Sequence, residues 1–394
     1  MSARQTIATF SAAALVTLTA SACSGDLMTP THAADEPAAG AASEKPAVTI
    51  TTNVKRTDVP VDTLLKVSAA GGTLDSVSVT SAEGDVAGEL ANDGTWTATS
   101  RLEPGATYTV ATESTAPNGD EQRDRSRFAT EDLSLDEQTY ASISPLQGET
   151  VGVGMPVIVT FDVPVTDHAS MEKHMTVTST PKQEGAWHWL SDSEVHWRPK
   201  SYWQAGTDVS VDLDVNSVPA GDGVYGQESR HVDFHIGDAH VYKVNTQTHQ
   251  MKVYSNGALL KTIPITTGKD GFITRSGVKV IIEKFRSKRM NSETVGIDPN
   301  GPDGYDIDDV EYAMRLTYSG EFIHAAPWSV SSQGYANVSH GCTGMSTSNA
   351  QWLYNMSSRG DVVEYVGTNR PMTLTNGYGD WNESFSDWRA GSAL

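Results

Sequence analysis

The sequence predicts a mainly β protein: two small antiparallel sandwiches in series, then a third β-rich body carrying one main helix. Three observations support this. From about Val48 to Gly237, short runs alternate apolar with polar residues and are punctuated by Gly, Asp, Asn or Pro, as in half-buried strands joined by turns. Beyond His240 the alternation continues in "HVYKVNTQTHQMKVYSNGALLKTIPI", where Asn256-Gly257 marks a two-residue hairpin. Only "STSNAQWLYNMSSRGD" reads as a convincing helix: Ser346 or Ser348 can cap it, Ala350, Leu353 and Tyr354 supply apolar positions, and Gly360 closes it.

The chain has 394 residues, 38% of them hydrophobic, and a formal net charge of −21. That length accommodates two to four domains at roughly 100–200 residues each. The acidic surface argues against nucleic acid as a partner and gives no general attraction to anionic lipid. At the N-terminus, Arg4 precedes an apolar run from Ile7 to Leu18 and then small residues, the pattern of an export signal over residues 1–22. Ala20-Ser21-Ala22-Cys23 resembles a bacterial lipobox, which would make Cys23 a lipid attachment site and place the protein on the outer face of the cell membrane. The alternative is ordinary cleavage after Ala20-x-Ala22. Lipidation is favoured because a mature chain starting at an unmodified, exposed cysteine would carry a reactive thiol without a use. Residues 23–46, rich in Ala, Pro, Gly and Ser, read as a flexible tether.

The first sandwich is expected over 47–134, with Trp96 and Tyr108 as core aromatics and "LEPGATY" as the turn into a late strand of an immunoglobulin-like domain. The second spans 135–237. In "GAWHWLSDSEVHWRP", Trp187 and Trp189 share one face and His188 the other, and Val195 and Trp197 likewise flank His196. These histidines, with His231 and His235, lack Cys or carboxylate partners at ligand spacing, so no metal site is expected. The acidic loop "DPNGPDGYDIDDVE" also misses the calcium-loop spacing. The third domain covers 238–367. The aromatic tail, 368–394, is expected to pack back on it. A basic run of Lys279, Lys284, Arg286, Lys288 and Arg289 reads as a solvated strand edge, with substrate carboxylates as the other use.

The chain has two cysteines. With Cys23 lipidated, Cys342 has no disulfide partner, and a lone thiol outside the cell needs a purpose. It lies in "VSHGCTGMS", close before the helix, where backbone N–H groups and the helix dipole would lower its pKa. An imidazole activates a thiol, and His324 and His340 are the candidates. Fourteen residues separate His324 from Ser339, giving H-x14-S-H-G-C.

This motif resembles the catalytic signature of the L,D-transpeptidases (YkuD-type). "PNGPDGY", "SGEFIHAAPWSV", "SNAQWLY", "RGDVVE" and "GDWN…WRAG" are similar to actinobacterial lipoprotein members with two N-terminal immunoglobulin-like domains. The resemblance implies a cofactor-free cell-wall enzyme that forms 3→3 cross-links between peptidoglycan stem peptides through a Cys342 thioester. D-Ala is released, a diamino-acid side chain accepts, and carbapenems inhibit. It implies His324 as base and acid, the Ala325 carbonyl orienting it, His340 and Ser339 supporting the loop, and Gly341 allowing close backbone approach. Oxyanion donors are expected from Cys342 and from Ser319-Gly320, and Tyr305 and Met290 in the loop capping the donor site. The family usually carries Asn or Arg where this chain has Gly344, which predicts a looser loop whose acylation Gly344→Asn would speed. The competing readings are a sortase-like cysteine enzyme, whose T-L-x-T-C motif is absent, and a non-enzymatic wall-binding protein, which would not need Cys342 or His324.

Overall fold

The computed structural model describes residues 47–394. The export signal, Cys23 and the tether lie outside the described residues. From residue 47 onward, alternation of apolar and polar residues builds three β bodies.

In the first sandwich, the sheet of Thr49–Thr52, Lys66–Ala70, Trp96–Ala98 and Gly88–Leu90 faces that of Asp85–Val86, Thr73–Thr80, Thr107–Thr115 and Glu121–Ala129. Strand Thr107–Thr115 buries every second residue over most of its length, including Tyr108 and Val110. Trp96 and Tyr108 join Val67 and Phe128 in the core. The second sandwich pairs Ala141–Ser144, Val157–Phe161, Glu194–Pro199 and Gly185–Ser191 against Thr150–Val151, Arg230–Ile236, Asp208–Leu213 and Met175–Thr180. Here Trp187, Val195 and Trp197 are buried. His231 lies between Asp212 (2.6 Å) and Asp233 (3.0 Å).

The third body has a sheet of five strands, in order Ala258–Pro264, Gln250–Ser255, His240–Asn245, Val362–Val366 and Gly277–Val280. Asn256 and Gly257 both have positive φ, as the expected tight hairpin turn requires. A second sheet runs Glu283–Asn291, Asp306–Arg315, Phe322–Ala325, Thr343–Met345. The helix Thr347–Met356, capped by Ser346, packs on the middle two strands of this sheet through Ala350 and Leu353. It ends at Met356, before Gly360. The described residues hold two further short helices, His168–Glu172 and Phe385–Arg389, which the strand-like patterning did not announce.

The tail reaches further than expected. Asn382 bonds Val278 on the third body, but Trp381 Nε1 donates to Gly154 O and Trp388 Nε1 to Ala186 O on the second sandwich. The faces carrying His188 and His196 are thus covered: His188 stacks on Trp388, and Asp380 accepts from His196 Nδ1 at 2.7 Å.

Candidate active site

Strand Phe322–Ala325 is buried at all four positions and pairs parallel with Thr343–Met345, setting His324 opposite Gly344. Parallel neighbours need a crossover of a dozen or more residues. The fourteen-residue spacing of the motif spans that crossover, folded back so that Cys342 arrives at the start of the paired strand and shares a cavity with His324. The crossover is pinned in several places. Gln333 Nε2 donates to Ala326 O (3.0 Å), Thr266 Oγ1 to Ala336 O (2.8 Å), and Ser339 N to Thr267 O (3.0 Å).

His324 Nδ1 lies 2.7 Å from Ala325 O. A carbonyl only accepts, so Nδ1 carries the proton and Nε2 is left as the acceptor. Burial holds the imidazole below its ordinary pKa, so it is neutral at pH 7. The Cys342 thiol donates to Gly320 O (3.5 Å). Burial pushes it up to about 12, against a backbone N–H bond from Phe322. Ser339 Oγ donates to Cys342 O (2.6 Å) and accepts from Gly341 N (3.1 Å), fixing the turn. Gly341 has φ +122°, a conformation other residues rarely adopt. The Thr274 hydroxyl holds Gly341 O at 2.8 Å.

His324 and Cys342 open on one cavity of about 260 Å³, walled by Met290, Tyr305, Trp328 and His340 among others. Trp328, 56% exposed, stacks over His324 with ring centroids 5.9 Å apart. His340 packs against Phe272 and Tyr305, with Nε2 3.6 Å from Asp303.

Four expectations need correction. Ser319 N already donates to Asn376 Oδ1 and Gly320 N to Thr317 O, so this pair has no free N–H for an oxyanion; Gly320 meets the thiol with its carbonyl. The strand Thr343–Met345 separates Cys342 from the helix, so the helix end does not lower the thiol pKa, and burial raises it instead. Gly344 is not in a loose loop: it exchanges both backbone bonds with Thr266, and a Cβ there would stand 2.8 Å from Ala326 Cβ. Asn therefore has no room at this position without displacing its neighbours. Finally, Lys279 is fully buried rather than on a solvated edge, while Arg286 and Arg289 pair with Glu311 and Asp306. Sequence reasoning missed Thr266, Thr274, Glu321 and the siting of Lys279, because threonines and single charges in β runs give no signal of what they face.

Residues 239–364 match the L,D-transpeptidase catalytic domain, and residues 56–219, across both sandwiches, match a bacterial Ig domain. Over 338 residues the chain is 38% identical to L,D-transpeptidase 2 of Mycobacterium tuberculosis (strain CDC 1551 / Oshkosh), covering 85% of this chain and 82% of that one. The chain belongs to the L,D-transpeptidase family. It is also 33% identical over 340 residues to L,D-transpeptidase 5 of Mycobacterium tuberculosis (strain ATCC 25618 / H37Rv), covering 84% and 73% of the two chains. Among solved structures, LD transpeptidase LdtMt1 in complex with imipenem aligns with a TM-score of 0.51 and 37% identity, over 58% of this chain and 99% of that one. The transpeptidase domain of this chain thus follows two immunoglobulin-like sandwiches.

Proposed function

We propose that this enzyme cross-links peptidoglycan stem peptides with Cys342 as nucleophile. The observation that carries the reading is the shared cavity of Cys342 and His324, with the imidazole held by Ala325 O in the tautomer whose Nε2 accepts a proton. His324 Nε2 takes the thiol proton. The thiolate attacks the carbonyl of the third stem residue, and D-Ala leaves, protonated by His324. A thioester remains. The side-chain amine of a second stem attacks it, loses its proton to His324, and regenerates the thiol, giving a 3→3 link. Tyr305 and Met290, which wall the cavity, contact the donor. A relative of this chain was crystallised with imipenem, and carbapenems, whose strained amide is open to a thiolate, acylate Cys342 by the first half-reaction.

The enzyme works outside the cell, held to the membrane through a lipid on Cys23, with the sandwiches lifting the site into the wall. One measurement tests both parts. Intact mass of membrane-extracted protein is expected to show a lipid on Cys23 and, after a carbapenem, one adduct that Cys342→Ala abolishes together with D-Ala release. An adduct persisting in Cys342→Ala would remove the nucleophile assignment, and an unmodified Cys23 would remove the anchor.

A further inference from the structure

Behind Cys342 lies a buried charged cluster for which the chemistry above has no role. Lys279 is fully buried and Glu321 nearly so. The Lys279 ammonium bonds Glu321 Oε2, while Arg275 reaches Glu321 Oε1 through its guanidinium (2.9 Å) and its main-chain N–H (3.1 Å). Two cations thus share one carboxylate. Lys279 Nζ also stands 3.7 Å from the centre of the Tyr365 ring, whose hydroxyl is 2.6 Å from Thr343 Oγ1.

Every part of this cluster touches the segments that hold the thiol. Glu321 sits in the chain between Gly320, whose carbonyl accepts from Cys342 Sγ, and Phe322, whose backbone N–H favours the thiolate. Its Cγ lies 3.8 Å from the Cβ position of Gly341, the residue before Cys342. Thr343, tied to Tyr365, is the residue after it. As a stability device the cluster is a poor choice, because apolar side chains of the same volume often match or exceed a buried ion pair. It makes sense where a negative charge must appear: Cys342 is a neutral thiol at rest, and proton transfer to His324 creates an anion at a half-buried sulfur.

We propose that Lys279 is a positioning residue for catalysis: its ammonium offsets the Glu321 carboxylate behind Cys342 and so favours the thiolate as His324 takes its proton. This rests on Cys342 being the nucleophile. The proton moves from Sγ to His324 Nε2 and no proton leaves Lys279. The titratable and charged groups around the thiol are His324, His340, Tyr305, Tyr365, Glu321, Lys279 and Arg275. Of the two cluster charges that act on the thiol, Glu321 has the larger effect and opposes the anion, and Lys279 favours it.

The test is the rate of Cys342 alkylation by iodoacetamide and of acylation by a carbapenem, in the full chain, between pH 6 and 10. A neighbouring cation shifts an acid by about one to three units. Lys279→Met is expected to slow both reactions at pH 8 about tenfold or more, and Lys279→Arg to restore them. A merely structural role predicts the opposite sign, since loosening the site exposes the thiol and speeds alkylation. The wild type supplies a second readout that needs no variant. Burial lowers Lys279 to about 8, so the climb of alkylation with pH should flatten above that point, and in Lys279→Arg it should continue. Unchanged or faster rates in Lys279→Met, or a wild-type climb without a break, would overturn the proposal. A wild-type Cys342 inert to both reagents would instead overturn the nucleophile assignment, so the two failures are distinguishable.

Discussion

The two sandwiches are alike in architecture and differ in what they are attached to. The first closes its core with its own residues, Val67, Trp96, Tyr108 and Phe128 among them. The side chains crossing to the second sandwich are few and polar: Ser217 Oγ to Leu102 O, Asn216 Nδ2 to Glu103 Oε1, and Arg101 beside His174, each 2.7 Å. The second sandwich shares one hydrophobic cluster with the transpeptidase domain, which contributes Val280, Ile282, Val362 and Tyr378. Its backbone at Gly152 bonds Arg359 O at 2.7 Å, and a Cβ on Gly152 would stand 2.3 Å from Asp361 N. Glycine is there because two main chains meet. The Glu149 carboxylate takes two bonds from Arg359. The first domain is therefore a spacer on a polar joint, and the second is part of the catalytic body. A shared apolar core couples unfolding; a few hydrogen bonds do not.

The largest expected effect comes from breaking the clasp that completes this fusion. Trp388 is fully buried, stacks on His188, and with Trp381 and Phe385 surrounds the Arg198 guanidinium at 4.8–5.6 Å. Trp388→Ala should cost about 3–5 kcal/mol. In calorimetry the second sandwich and the transpeptidase domain should fall together in one transition, with the first sandwich unmoved. Separate movement of the transpeptidase domain would break the comparison.

The next effect is one of pH. Burial opposes charge on His196, but Asp380 and Glu194 more than offset it and raise the imidazole to about 9. The folded value lies above the ordinary one of about 6.5. The stabilisation is thus fully present below pH 6.5 and lost as pH rises through 9, an effect of at most about 3 kcal/mol. The fused body should lose melting temperature over that window. The first sandwich has no histidine, so its transition should not share the loss. His196→Gln should remove the part owed to this residue, leaving that of His231 and His240, which are also raised. An unchanged slope in the variant would show that the junction does not titrate through His196.

How much of this was legible depends on the range of each interaction. The sandwiches were readable because strand alternation is local: Trp96, Tyr108, Trp187 and Trp197 all lie on the face the pattern assigned. The site was readable because His324 and Cys342 are joined by one crossover of fixed length. The role of the tail was not, since His196 and Asp380 are 184 residues apart. The alternation set His188 and His196 on the face opposite the tryptophans and gave no sign of what covers it. Lys279 was misplaced for a similar reason: its partner Glu321 is 42 residues away, just before a strand of the other sheet. Period alone cannot tell a buried cation from one on a strand edge.

The smallest effect probes the joint itself. Ser217 is buried at the foot of the second sandwich, and its hydroxyl satisfies the carbonyl of Leu102 in the first. Ser217→Ala leaves that carbonyl without this partner, at a cost of about 1 kcal/mol. The loss belongs to an interface, so it appears in whichever domain unfolds first. A polar joint makes that the first sandwich, whose melting point should fall by about 4–8 °C for a domain of this size, while carbapenem acylation at Cys342 and the melting of the fused body stay where they were. If both transitions fall together, the first sandwich unfolds with the rest, and the distinction between spacer and seat has to be abandoned.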